Sequence, residues 1–105
     1  MTKEELQNYR NLRSELKMLD ALKQKIERHS TDELRAKYAQ KCEQLANKLL
    51  RIEQVIEKLN STERMILRLR YINGLSWLSV CDRVHYSWQQ THRIHARALR
   101  KIEKL

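Results

Sequence analysis

The sequence predicts an all-α protein, on three observations. The 105 residues include one glycine and no proline, so few positions break a helix. Phenylalanine is absent and Leu, Ile, Lys, Arg, Glu and Gln are frequent, which suits long amphipathic helices better than a sheet. Apolar residues recur at steps of three and four, the spacing that lines one face of a helix.

A first helix is expected over about residues 3–28. Its stripe is Leu6, Tyr9, Leu12, Leu16, Leu19, Leu22 and Ile26. The segment "HSTDEL" interrupts the pattern, and Ser30 with Glu33 fits a capping box. A second helix, about residues 31–59, places Tyr38, Cys42, Leu45, Leu49, Ile52, Ile56 and Leu59 at alternating steps of four and three, a heptad seam. Two such helices form a long hairpin or coiled-coil arm over residues 1–59. One seam between them is a thin core, so the arm is expected to pair with another chain or to fold back on the rest. On this reasoning the sequence predicts a homodimer.

Residues 60–105 are expected to form a second unit. In "LNSTER", Asn60 or Ser61 can cap a third helix over about 62–72, with Glu63 in its first turn and apolar Met65, Ile66, Leu69 and Ile72. Gly74 ends it, because glycine takes the left-handed conformation without strain. Ser76 caps a short fourth helix, "WLSVCDRV". "HYS" breaks that helix, and Ser87 caps a fifth over about 88–103.

Charge separates the two segments. The chain carries 22 Lys+Arg against 13 Asp+Glu, a formal +9. Residues 60–105 hold nine basic and three acidic side chains, and residues 1–59 thirteen and ten. The basic excess calls for a polyanion, nucleic acid ahead of an anionic membrane, and places it on the C-terminal segment. Cys42 and Cys81 read as reduced thiols of a cytoplasmic protein, the N-terminus does not read as a targeting sequence, and no apolar run reaches the length of a membrane span.

A short helix, a tight turn and a longer basic helix make a helix-turn-helix pattern, whose last helix enters the DNA major groove. The stretch "ERMILRLRYINGLSWLSVCDRVHYSWQQTHRIHARALRKI" resembles the fourth region of sigma-70-type factors. The residues that carry the likeness are Glu63, Arg64, Leu67, Leu69, Arg70, Tyr71, Gly74, Leu75, Ser76, Ser87, Ala98, Leu99 and Lys101. With its helical arm the chain is similar to small phage-encoded sigma-like proteins of Gram-positive bacteria. The resemblance covers about residues 59–103 and implies promoter DNA binding. Three positions depart from the pattern: Ser79 replaces a capping-box glutamate, His85 a turn glycine, and Thr91 a branched apolar residue.

On a helical wheel of the fifth helix, Thr91, Ile94, Ala98 and Ile102 face the core, with His95 beside them. Trp88 and His92 lie on the flank. Gln89, Arg93, Ala96, Arg97 and Arg100 face away, with Gln90 at the edge. Gln89, Gln90 and Arg93 are the candidate base readers, since Gln matches adenine and Arg matches guanine in the major groove. Trp88 either packs on the flank or meets a thymine methyl. Arg97, Arg100 and Lys101 are candidates for phosphate contact. Trp77 and Tyr86 are expected in the core. Cys81, His85, His92 and His95 raise the question of zinc, but C-x₃-H-x₆-H-x₂-H is not a zinc-ligand spacing. No metal or other cofactor is expected. Nor is an enzyme, because there is no glycine-rich phosphate loop and the carboxylates are interleaved with Lys and Arg on helix surfaces.

The expected function is sequence-specific DNA binding in transcriptional control, for example of phage late genes. Two other readings fit a helix-turn-helix with a helical arm. One is a DNA-packaging recognition subunit, and the other a helical module that binds RNA polymerase or a host regulator.

Overall fold

The computed structural model describes residues 1–29 and 31–105, and those residues form helices and connecting turns without a strand. The helices are α1 (Lys3–Gln7), α2 (Tyr9–His29), α3 (Asp32–Glu57), α4 (Ser61–Leu67, continued by a π-helical turn Arg68–Ile72), α5 (Trp77–Val84) and α6 (Trp88–Glu103). The molecule is elongated, 55 × 27 × 19 Å.

Five of the six described helices start where a short polar side chain accepts a free backbone N–H, α2 being the exception. Thr2 accepts from Glu5, Thr31 from Leu34, Ser76 from Ser79 and Ser87 from Gln90. Asn60 and Glu63 form a complete capping box at α4. The cap of α3 is therefore Thr31, and Ser30, the expected cap, lies outside the described residues. The expected single first helix is divided at Asn8, whose N–H bonds back to Glu4 and whose Oδ1 accepts from Asn11.

α2 and α3 pack antiparallel: the Tyr9 hydroxyl donates to Glu53 Oε1 at 2.8 Å, which joins the start of one helix to the end of the other. Leu6, Tyr9, Ile52, Val55, Ile56 and Leu59 then meet Leu67, Tyr71, Ala98 and Ile102 in one cluster. The base of the helical pair and the C-terminal helices thus share a core, and a division at residues 59 and 60 runs through it. Leu45, Ile52 and Ile56 are 7%, 3% and 0% exposed, and Leu49 is half-buried. Of the two expectations for this seam, pairing with another chain or folding back on the rest, the second describes its base, where Ile52 and Ile56 pack with residues of α1, α4 and α6. What the helical pair leaves exposed is Met18, Leu22, Leu34 and Leu50.

The π-helical turn also changes a sequence expectation. Asn73 N–H bonds to Arg68 O at 2.9 Å, five residues back, and Leu75 N–H reaches Leu69 O at 3.0 Å across Gly74 (φ 72°). The wider turn is a local insertion in the helix. Of the apolar positions expected on this helix, Ile66 is buried and Leu69 and Ile72 pack on the cores, while Met65 is exposed and Leu67 is buried in addition. A second cluster of Ile66, Val80 and Ile94, flanked by Leu69, Trp77 and Tyr86, joins α4, α5 and α6. No described helix is long and apolar enough to cross a membrane.

Candidate nucleic-acid interface

α5 and α6 meet at a turn that depends on His85, at φ 60° and ψ 36°. A non-glycine residue there pays a steric cost at Cβ, and Tyr86 N–H bonds back to Cys81 O at 3.4 Å. At Ser79, where the family pattern has glutamate, the Ser76 hydroxyl donates to the Ser79 hydroxyl at 3.1 Å. The turn sets the start of α6 at the surface.

α6 buries Thr91, Ile94, His95, Ala98 and Ile102, the face that the wheel predicts. Gln89, Gln90, Arg93, Arg97 and Arg100 are exposed. Gln89, Arg93, Arg97 and Arg100, spaced four, four and three, form an outward ridge. Trp88 is 51% exposed, and its ring centroid lies 4.4 Å from that of His92. His92 in turn lies 4.5 Å from Trp77, so Trp88 rests on an aromatic flank and keeps an apolar outer face.

Two polar joints hold the helix. Glu63 of α4, 0% exposed, accepts from Lys101 Nζ at 2.9 Å and from Arg97 Nε at 3.1 Å. Burial alone would raise its pKa, but Lys101, the Asn60 amide and Arg97 outweigh that and hold it below the usual carboxylate value. The second joint is Tyr71 to His95, 2.6 Å from hydroxyl to Nε2. Burial first, then the charges of Lys3, His92 and Arg70, push the His95 pKa down to about 4. Burial also raises the Tyr71 pKa, so a protonated phenol donates to a neutral imidazole.

These joints sort the cations. Arg97 and Lys101 are tied to Glu63, and Arg68 to Glu53 and Glu57. Arg93 and Arg100 have no carboxylate partner among the described residues and point to solvent. The capped, exposed first turns of α6 thus present amide and guanidinium donors with free cations, the chemistry that pairs with base edges and phosphates.

The four residues considered for zinc are dispersed. His85 caps α5 at the surface, Cys81 is half-buried, His95 Nε2 is taken by Tyr71, and His92 stacks between two tryptophans. No group of three His, Cys, Asp or Glu that could hold a metal occurs among the described residues. The reading of the sequence did not foresee the Glu63 anchor. Its only local sign was the capping box, and the cations that meet it lie 34 and 38 residues away.

Residues 55–104 match the family described as sigma-70, region 4. Over 99 residues the chain is 29% identical to the RNA polymerase sigma factor TcsR of Paraclostridium sordellii, a match covering 92% of this chain and 56% of the relative. The chain thus spans about half the length of that curated relative. No solved structure gives a significant match. The C-terminal helices form a sigma-70 region 4-like helix-turn-helix.

Proposed function

We propose that this sigma-70 region 4-like helix-turn-helix binds promoter DNA in a sequence-specific manner and serves transcriptional control, without enzymatic activity of its own. α6 lies in the major groove, with Gln89, Gln90 and Arg93 toward base edges and Trp88 toward a thymine methyl. Arg100, with the free N–H groups of Arg97, reaches phosphate. The observation that carries the reading is the outward ridge of α6, in which Arg93 and Arg100 have no carboxylate partner among the described residues while the opposite face is locked into the core. The match to region 4 favours transcription over DNA packaging. Control of phage late genes is the finer form of this reading, drawn from the resemblance alone.

RNA polymerase is proposed as the protein partner. The relative's name supports it, and so does Met65, 48% exposed beside Leu69 on α4, which leaves an apolar patch for a protein surface. A homodimer would use the exposed Met18, Leu22 and Leu50 of the helical pair, since the inner seam is filled within one chain.

Selection of bound fragments from random duplex DNA tests the reading. Enrichment of one short motif is expected for a monomer, and a two-fold repeat with centres about one helical turn apart for a dimer. Retention of DNA without any enriched motif would overturn sequence-specific binding.

A further inference from the structure

We infer that the N-terminal helices carry a second DNA contact, in which Lys3 and Arg10 bind backbone phosphate beside the turn between α4 and α5. The inference rests on the DNA-binding reading and extends it to a part of the chain that the region 4 match does not cover.

Arg10 of α2 lies directly over that turn. A Cβ built on Gly74 would fall 2.2 Å from Arg10 Nη1 and 2.5 Å from its Cζ, so the guanidinium occupies the space that glycine leaves. The neighbouring Arg13 donates to Ile72 O at 3.3 Å, which fixes α2 against the same turn. A small surface basin of about 260 Å³ is lined by Gln7, Arg10, Arg70, Tyr71 and Gly74, with no carboxylate. Glu4 and Glu5 line a separate depression with Gln7, Asn8 and Asn11.

The basin is continuous with the flank of the recognition helix. Arg70 donates to Leu75 O at 2.9 Å, and its Cζ lies 4.9 Å from the centre of the Trp77 ring. Trp77 touches His92, and His92 touches Trp88 at the start of α6. Lys3 lies one helical turn before the basin residue Gln7, on the same face of α1. Lys3, Arg10 and Arg70 have no carboxylate partner among the described residues, unlike Arg68, Arg97 and Lys101. Three uncompensated cations beside a groove-reading helix fit a phosphodiester, which supplies the charge and accepts from a guanidinium fork.

The test compares wild type, Lys3→Gln, Arg10→Gln, the double variant and Arg10→Lys. Each binds a fluorescent duplex selected by the wild type and a scrambled duplex, across a salt series. The double variant is expected to weaken on both duplexes alike. Its plot of log affinity against log salt should be shallower by about 0.9 for each lost contact. Arg10→Gln should lower the slope and Arg10→Lys should keep it, a dependence on charge that a purely structural role of Arg10 would not predict. Circular dichroism follows folding, and Lys3→Gln, which disturbs no packing over Gly74, keeps the test open if Arg10→Gln unfolds. Wild-type slopes in both Lys3→Gln and the double variant would overturn the arm contact alone. A wild type that retains no duplex would overturn the DNA reading and the arm contact together.

Discussion

Thr91 and His85 each break a local rule inside the helix-turn-helix, and each has a measurable cost. Thr91 is fully buried and its Oγ1 has no hydrogen-bond partner. An unpaired buried hydroxyl costs roughly 1–3 kcal/mol, so Thr91→Val, which keeps the shape, should stabilise the protein by about 1 kcal/mol. His85 holds a left-handed backbone at φ 60° without glycine's freedom. Its side chain is exposed and lost at little cost, so His85→Gly should add about 0.5–1 kcal/mol, net of the greater entropy of unfolded glycine. Urea unfolding followed by circular dichroism measures both. Variants no more stable than wild type would mean that the hydroxyl is satisfied or that the turn is unstrained. Both positions were visible in the sequence as departures from the family pattern. Only the structure shows that Ser79, the third departure, repairs itself through the Ser76 hydroxyl.

At the scale of helices, the joint between α4 and α6 sets the acid limit of stability. His95 has a folded pKa of about 4 against roughly 6.5 when unfolded. Above about pH 6.5 the imidazole is neutral in both states and the full stability is present. As pH falls from about 6.5 to about 4, the unfolded chain gains a proton that the folded chain refuses, and about 3 kcal/mol is lost. Glu63 adds to the loss lower down, because its depressed pKa stabilises the fold only while the carboxylate stays ionised. A Tm profile should therefore fall through this window, and His95→Gln should flatten the part between about pH 6.5 and 4. An equal fall in the variant would contradict the Tyr71–His95 account. The helices themselves were legible, since caps at Asn60, Ser76 and Ser87 and the buried face of α6 depend on neighbours within four residues. The joints were not. Glu63 with Lys101, Tyr71 with His95 and Arg10 over Gly74 lie far apart in sequence, and periodicity carries no information about which faces meet. The buried face of α4, Glu63, Ile66 and Leu67, keeps ordinary helical spacing, but it includes a carboxylate that an apolar stripe does not register.

At the scale of the whole molecule, the sequence divides into a helical arm and a basic segment, and gives no sign of whether the arm's seam pairs with another chain or folds back on the rest. Met1, Leu6 and Ile102 join one core, and the N-terminal amine donates to Ile102 O at 2.9 Å, near the end of α6. The arm therefore packs against the C-terminal end of α6. Net charge of +9 on a shape 55 Å long gives general affinity for polyanions, which by itself says nothing of sequence. On the proposed reading, specificity rests on the first turns of α6. The decisive measurement is the affinity of wild type, Gln89→Ala and Arg93→Ala for the selected duplex and for single-base variants of it, at one fixed salt concentration. If α6 reads bases, each substitution costs roughly 1–3 kcal/mol on the selected duplex, and the preference at one base pair collapses. An equal loss on every duplex would place these side chains on phosphate, and no loss at all would remove α6 from the groove.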